Sequence, residues 1–312
     1  MAAYLIRRLW QTIPTLAGVV LLVFFLFKTF GGDPAEILGG LNASPEQIEA
    51  IRQQLGLNEP LWQQLWIFVQ RIVTFDWGQS WATNEPVASL FASRLPATLT
   101  VMVPILLLDA LLSIPFALGV AYVRGSLTDR TIMVVTTVAL SISFLVYVIV
   151  GQYFFAFRLG WFPVQGWSDS LWTNLTVYTP LPVLLAVMVG LAPQTRLYRT
   201  FFLDEIGQDY VRTARAKGLT EKRILLKHVL RNAMIPILTN LSVALPGIFV
   251  GSFLIEVFFS IPGLGREVLL AVNRSDYPVI QAVTIYIAVI TMAINVATDV
   301  LYKMVDPRVV LK

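Results

Sequence analysis

The sequence predicts an all-α integral membrane protein with six transmembrane helices. The chain has 312 residues, of which 56% are hydrophobic and 13% charged, and its mean hydropathy is +0.71. Soluble domains contain about 45–50% apolar and about 25% charged residues. A helix needs about 20 mainly apolar residues to cross the hydrocarbon core of a bilayer. Six windows of this kind occur, at about 10–30, 97–122, 131–156, 180–200, 234–257 and 280–303.

The first window could be taken for a secretory signal peptide, because Arg7 and Arg8 precede it. Its apolar run is long, however, and no small-residue cleavage site follows it. We therefore expect a retained signal anchor that forms the first span.

The basic residues are sorted by loop. Of the 23 lysines and arginines, 16 lie near the two termini, in the turn between the second and third windows, and around the loop 201–233. The segment 31–93 is instead acidic. The positive-inside rule predicts that both termini and the loop 201–233 are cytoplasmic and that 31–93 is extracytoplasmic. Because the positive charge is sorted in this way and does not form a patch with stacking aromatics, we expect no nucleic-acid partner.

The segment 31–93 carries signals of short helices. Ser44, Pro45 and Gln47 form a helix start with a capping residue, and Gly56 ends the apolar repeat that follows. A second amphipathic stretch covers Leu61 to Val73. We favour a structured lid that anchors the subunit over a surface that contacts substrate. Interfacial aromatics accompany it: Trp62, Trp66, Trp77 and Trp81.

The residue inventory argues against an enzyme. The chain has no cysteine and a single histidine, His228, so a disulfide framework and the usual zinc clusters are excluded. The glycine-rich stretch Pro262-Gly263-Leu264-Gly265 is not a phosphate-binding loop, because no Lys-Ser or Lys-Thr follows it. We expect no cofactor bound by this chain and no ATP hydrolysis by the chain alone. Inverted repeats and multiple buried carboxylates, typical of secondary carriers, are not found.

Asp109 is the one ionisable residue near the middle of a predicted span. Charged residues inside a membrane are functional candidates because they cost at least about 2.5–3.5 kcal/mol to insert. Pro104 and Pro115 flank it and can free backbone groups. Asp109 could line a translocation path or could be a carboxyl bonded inside the helix bundle. Glu256 and Asp299 lie nearer the ends of their spans and are interpreted as structural.

The basic loop between the fourth and fifth windows contains a predicted helix. The absence of proline favours a helix over 208–217, with Gly218 as its end. Small residues allow a close approach of another protein, and a rim of basic residues surrounds them. The small residues are Thr213, Ala214 and Ala216, and the basic ones are Arg212, Arg215 and Lys217. This composition is typical of a short helix that docks into a groove on a partner.

Residues 209–219 read Asp-Tyr-Val-Arg-Thr-Ala-Arg-Ala-Lys-Gly-Leu and resemble the cytoplasmic loop of ATP-binding-cassette importer permeases. Only Ala214, Gly218 and Leu230 match the general pattern of that loop, Glu-Ala-Ala, three residues, Gly, nine residues, Ile-x-Leu-Pro. The oligopeptide/dipeptide/nickel branch has instead Tyr-x-Arg-Thr-Ala-Arg-Ala-Lys-Gly-Leu and a following His-x-Leu-Arg-Asn-Ala. The chain is similar to this branch in both segments.

Similarity to the branch extends along the chain, with three departures, one of which is a short loop between the third and fourth spans. Gly31 stands where the branch has the proline of a Pro-Gly-Asp-Pro turn, and Asp76-Trp77-Gly78 replaces the more usual Gly-Asp-Leu-Gly. The other similar segments are Arg7-Arg8-Leu9, Ile13-Pro14, Gly32-Asp33-Pro34, Leu55-Gly56-Leu57, Ser80, Leu95-Pro96-Ala97-Thr98-Leu99, Pro262-Gly263-Leu264-Gly265, Asp276-Tyr277-Pro278-Val279 and Asp306-Pro307-Arg308.

The resemblance implies a type I importer permease fold with an extra extracytoplasmic segment after the first span, in the bacterial inner membrane. It divides the chain into an anchor and outer segment (1–93), a permease domain (94–303) with the coupling loop 201–233, and a cytoplasmic tail (304–312). The long outer segment implies the "B" type of permease subunit. The residues implied to couple to an ATPase are Asp209, Tyr210, Arg212, Thr213, Ala214, Arg215, Ala216, Lys217 and Gly218.

The implied partners are a homologous "C"-type permease, two ATPase subunits that hold ATP and Mg, an extracytoplasmic binding protein and the lipid bilayer. The implied activity is ATP-driven import of peptides or related small solutes. Two alternatives stay open at this point: a carrier or channel that works without ATPases, and a membrane scaffold. The identity of the solute stays open as well.

Overall fold

The computed structural model describes residues 2–40 and 43–305. The similar segment at 306–308, and all of the predicted tail except residues 304 and 305, lie outside the described residues. Within the described part the chain is helical, with a single β-bridge between Gln79 and Pro86.

Fifteen α-helices follow one another in the described ranges, and three of them continue as π-helical turns. They are α1 (Ala2–Phe30), α2 (Pro34–Gly39), α3 (Pro45–Leu55), α4 (Leu61–Val73), α5 (Val87–Tyr122), α6 (Leu127–Leu140), α7 (Phe144–Gly151, continued by Gln152–Arg158), α8 (Leu171–Thr173, continued by Asn174–Tyr178), α9 (Pro180–Ile206), α10 (Asp209–Ala216), α11 (Glu221–Ile224, continued by Leu225–Val229), α12 (Leu230–Val250), α13 (Phe253–Phe258), α14 (Leu264–Asn273) and α15 (Tyr277–Val305).

Five helical stretches of the described chain are long and apolar enough to cross a membrane, and a bent pair raises the number to six. The five agree with the first, second, fourth, fifth and sixth predicted spans. They are Trp10–Phe30, Val87–Tyr122, Pro180–Ile206, Glu221–Phe258 and Tyr277–Asp299.

The third predicted span, 131–156, is wrong as a single helix. The chain bends by 89° between α6 and α7. Serine side chains compete for backbone hydrogen bonds, and the Ser141 hydroxyl donates to the Thr137 carbonyl at 3.0 Å just before the bend. The Tyr147 hydroxyl donates to the Ala139 carbonyl at 3.0 Å, which satisfies an acceptor at the end of α6.

The fifth predicted span, 234–257, is interrupted near its end. Helix α12 ends at Val250, and Gly251 has a φ of 81°. A Cβ atom at this glycine would lie 2.2 Å from a carboxylate oxygen of Glu256. Glu256 is buried and accepts a hydrogen bond from the Thr98 hydroxyl at 3.0 Å. The helix therefore ends where a glycine lets this carboxylate approach the backbone.

The described part of the chain forms two compact units, one within residues 1–96 and 263–312 and the other within residues 97–262. In the first unit α1 packs along α15, and Arg8 pairs with Asp299 at 3.0 Å. The Asp276 carboxylate accepts hydrogen bonds from the Ser80 hydroxyl and from the backbone N–H of Trp81, the latter at 3.0 Å. Residues 80–82 and the start of α15 are thereby joined.

The predicted start of α3 is confirmed. The Ser44 hydroxyl accepts from the Gln47 N–H, and the Gln47 side chain accepts from the Ser44 N–H at 2.9 Å. Gly56 ends the helix with a φ of 68°. Partial burial raises the pKa of Asp33, but hydrogen bonds from Arg52 and from the Ala35 N–H outweigh it and hold that pKa below its usual range. This ion pair fastens α3 to the start of α2.

The second unit has two buried apolar clusters. One lies among α5, α7, α9 and α13, and includes Val101, Val148, Leu185 and Ile255. The other gathers residues from the last turns of α5 and α9 with α10, α11 and α12. The second cluster holds the predicted docking helix in place.

Candidate coupling site at α10

The predicted helix in the basic loop is confirmed. The prediction of 208–217 exceeds α10 (Asp209–Ala216) by one residue at each end. Gly218 follows with a φ of 77°. The N–H of Gly218 donates to the Arg215 carbonyl at 2.9 Å and that of Leu219 to the Ala214 carbonyl at 3.3 Å. This pair of bonds is the Schellman arrangement that ends many helices at glycine.

One side of α10 is locked into its own chain. Val211 and Ala214, three residues apart, are both buried. They lie in one cluster with Tyr198 and Phe202 of α9 and with Ile224 of α11. A displacement of α10 must therefore displace the ends of α9 and α11, since a close-packed cluster deforms little.

The opposite side of α10 is open. Seven of the nine predicted coupling residues are exposed, while Tyr210 is half-buried and Ala214 is buried. The small-residue surface predicted to admit a partner thus consists of Thr213, Ala216 and Gly218, with Ala214 turned inward. Val211 is the inward residue that sequence reasoning missed. Its spacing of three residues from Ala214 is the available signal.

Tyr210 connects three helices. Its hydroxyl donates to a carboxylate oxygen of Glu205, near the end of α9, at 2.5 Å. The side chain of Asn232 in α12 hydrogen-bonds the same hydroxyl. Burial, together with the bond to Glu205, raises the pKa of Tyr210 to about 12. The hydroxyl is therefore protonated at physiological pH and keeps its role as donor.

The basic rim is not uniform. Arg215 makes two hydrogen bonds to the Glu221 carboxylate, at 2.7 and 3.2 Å, and this contact raises the pKa of Arg215. It braces α10 against α11 across the turn at Gly218. Arg212 pairs with Asp209 on the same helix at 3.2 Å, and both side chains are largely exposed. Exposed pairs of this kind contribute about 0–1 kcal/mol, so Arg212 can exchange its partner easily.

Helix α9 connects the site to the interior of the second unit. It runs unbroken for 27 residues, about 40 Å. Two turns before its end, Arg199 makes two hydrogen bonds to the Asp129 carboxylate of α6, at 2.8 and 2.7 Å. Sequence reasoning missed this pair, because no pattern along the chain relates two residues 70 positions apart. Helices α6 and α9 are joined near the same end as α10.

Asp109 lies inside the second unit. It is buried on α5, and a Cβ atom at Gly190 of α9 would lie 2.7 Å from its Oδ1. Burial agrees with an interior position in the bundle, but Oδ1 makes no hydrogen bond within the described ranges. The hydroxyls of Ser113 and Thr195 are likewise buried without a partner there.

Two family models match the chain. Residues 113–311 match the binding-protein-dependent transport system inner membrane component, and residues 1–102 match the N-terminal part of such membrane components. A putative peptide transport system permease protein of Brucella abortus (strain 2308) is 34% identical over 313 residues. The glutathione transport system permease protein GsiC of Escherichia coli (strain K12) is 35% identical over 312 residues. Each alignment covers 99% of both chains.

These matches decide between the alternatives that the sequence left open. The family supplies the membrane subunits of ATP-binding-cassette importers, in which separate ATPase subunits hydrolyse ATP and a binding protein delivers the solute. A carrier that works without ATPases and a membrane scaffold do not fit it. The chain is a transporter subunit and not an enzyme. The apolar helices of the chain and the relatives that align over its full length both fit this family. The chain belongs to the binding-protein-dependent transport system inner membrane components and has a type I importer permease fold.

Proposed function

We propose that the chain is the "B"-type permease subunit of an importer for peptides or related small solutes, and that α10 is the helix through which partner ATPases drive it. The observation that carries this proposal is the two-sided arrangement of α10. One side is buried among α9 and α11, and the other exposes small and basic residues. Such a helix can hold a partner on one side and move its own chain with the other.

In this mechanism the ATPases close on ATP and pull α10 with them. The displacement passes through Val211 and Ala214 to α9 and through the Arg215–Glu221 contact to α11 and α12. The fourth and fifth spans then tilt and open the path outward. A partner can shift a conformational equilibrium only through contacts that differ between the two states. Docking of α10 supplies such contacts.

The nine coupling residues divide into two roles. Asp209, Arg212, Lys217 and Gly218, with Thr213 and Ala216, meet the ATPase. Tyr210, Ala214 and Arg215 transmit its movement, because their contacts lie within the chain. Asp109 is assigned to the interior of the bundle, and its place on a translocation path is not part of the proposal.

The proposed assembly pairs this chain with a homologous "C"-type permease, two ATPase subunits that hold ATP and Mg, and an extracytoplasmic binding protein. We propose no cofactor for the chain itself. Both termini and the loop 201–233 are proposed to be cytoplasmic, and 31–93 extracytoplasmic, on the basis of the charge distribution. The proposed division is an anchor with an outer segment (1–93), a permease domain (94–303) and a tail (304–312).

Peptides or related small solutes are proposed because two similar proteins carry such names. One is named as a peptide transport permease and the other as a glutathione transport permease. Both relate to the chain at about the same identity, so the comparison does not favour one solute over the other.

Cross-linking tests the docking of α10, since the chain has no cysteine of its own. We expect Ala216→Cys to cross-link to an ATPase subunit through a short thiol-to-amine reagent in membranes that contain the whole transporter. Thr128→Cys is a matched control, because Thr128 is also exposed and lies in the other basic turn. Equal cross-linking at the two positions, or none at position 216, would contradict the docking role.

A further inference from the structure

Helix α4 has one apolar side and one polar side. At 3.6 residues per turn, its apolar residues form a continuous arc, and the polar residues fall on the remainder. In order around the helix the apolar arc is Phe68, Leu61, Ile72, Leu65, Val69, Trp62, Val73 and Trp66. The remainder carries Gln63, Gln64, Gln70 and Arg71 together with Ile67.

One edge of this arc is fixed against α1. The rings of Phe68 and Phe24 have centroids 5.7 Å apart. The Lys28 ammonium donates to the Gln64 side chain at 2.9 Å. The Gln64 amide in turn donates to the carbonyls of Leu57 and Glu59, at 2.9 and 2.7 Å. These contacts hold α4 beside the last two turns of α1.

The other edge of the arc is open. Trp62, Trp66 and Val73 share a face, being spaced by four and seven residues, and are 70%, 65% and 71% exposed. Large exposed apolar surfaces of this kind mark a site of contact with a protein or a membrane.

The position of α4 along α1 favours a membrane over a protein as the partner of this face. The apolar stretch Trp10–Phe30 spans 21 residues, about 31 Å, which matches a hydrocarbon core of about 30 Å. Lys28 lies two residues and Phe24 six residues before the end of this stretch, about 3 and 9 Å along the helix. Interfacial helices are buried to about this depth, 5–10 Å below the membrane surface. In the same part of α1 the side chains of Phe25 and Phe30 are exposed as well, so both helices present large apolar side chains at this depth.

We propose that α4 is an interfacial helix whose face of Trp62, Trp66 and Val73 lies among the headgroups and first acyl carbons of the leaflet at the end of α1. Tryptophan is enriched at this depth because its ring is apolar and its N–H is polar. The only charged residue of α4 is Arg71, so burial of apolar surface carries the contact and anionic lipid is not required. The proposal does not depend on the ATPase contact of α10.

Spin labels at single cysteines test the proposal in the whole transporter, with cysteine-free partners, in phosphatidylcholine vesicles. We expect labels at Trp66→Cys and Val73→Cys to collide several-fold more with oxygen, which concentrates in lipid, relative to a water-soluble nickel chelate, than labels at Gln63→Cys and Arg71→Cys. Val73→Cys removes little volume and carries the test if Trp66→Cys reduces membrane abundance.

Two results would overturn the proposal. Easy access of the nickel chelate at all four positions would place α4 in water. Shielding of positions 66 and 73 from both reagents, whether permanent or on addition of the binding protein, would show that a protein covers this face.

Discussion

At the scale of single residues, Gly218 shows how backbone conformation and surface shape coincide. Its φ of 77° is rarely adopted by residues with a side chain, yet a Cβ atom there would meet nothing within 4 Å. The described residues therefore leave the position of a Cβ atom at Gly218 unoccupied. If a side chain at position 218 impairs transport, the cause is either the unfavourable backbone conformation or a clash with a partner that occupies this position.

Two substitutions at Gly218 separate these causes. Asparagine tolerates the left-handed conformation, whereas other residues cost about 1–2 kcal/mol there. We expect Gly218→Leu and Gly218→Asn, whose side chains have the same branching and the same number of heavy atoms, both to reduce uptake while ATP hydrolysis by the transporter continues. Uptake and ATPase activity are measured on reconstituted transporter of normal abundance. Unchanged uptake in Gly218→Leu would contradict the docking role, and impairment confined to Gly218→Leu would assign the effect to the backbone.

The Tyr210 hydroxyl gives a second prediction at this scale. Tyr210→Phe removes the bond donated to Glu205, and bonds to charged groups contribute about 1.5–3 kcal/mol. We expect fewer solute molecules transported per ATP, with the exposed face of α10 intact. Thr200→Ala is the control, because that exposed hydroxyl donates to the Arg196 carbonyl within the same helix and lies outside the nine coupling residues. Because the pKa of Tyr210 is about 12, the loss in solute transported per ATP should be the same from pH 6 to 8. An equal number of solute molecules transported per ATP in the two variants would show that Tyr210 is not part of the coupling route.

At the scale of helices, composition and hydrophobic periodicity predicted most elements. Helix α4 begins and ends at the predicted residues, and α3 has the predicted cap and stop. The bend between α6 and α7 was not predictable from hydropathy, because an apolar window reports length and not direction. The serines at 141 and 143 weaken the helix there, but the bend also needs Tyr147 to satisfy the Ala139 carbonyl.

The joint between α6 and α9 depends on a charge pair that is largely buried. The side chains of Arg199 and Asp129 are 18% and 6% exposed, whereas those of Arg212 and Asp209 are 73% and 92% exposed. Breaking a buried pair typically costs about 3–5 kcal/mol, because one charge stays buried without its partner. We expect Arg199→Gln to lower the melting temperature of the purified transporter far more than Arg212→Gln.

The melting temperatures of both variants are compared with that of the unmodified protein in one detergent. In addition, Arg199→Gln combined with Asp129→Asn should recover part of the loss, because no charge is then left unpaired. Equal melting temperatures for the two single variants would show that the α6–α9 joint does not rest on this pair.

At the scale of the whole molecule, the two units use the chain differently. Residues 1–96 with 263–312 bring the first and last long helices together and tie residues 80–82 to Asp276. Residues 97–262 contain α9, α10 and the larger part of the segment 113–311 that matches the inner membrane component. Two segments that resemble the family but lie far apart in sequence, one at Ser80 and one at Asp276, meet in a single hydrogen-bonded contact.

The sequence by itself determined the membrane class, five of six spans, the capped helix α3, and the existence and end of α10. These follow from local physics: apolar length, helical periodicity and the conformational freedom of glycine. Only the tertiary structure decided which side of α10 is open, that Ala214 faces inward, and that Arg199 meets Asp129. Those features depend on packing between segments distant along the chain, and residue spacing carries no information about which distant segments meet.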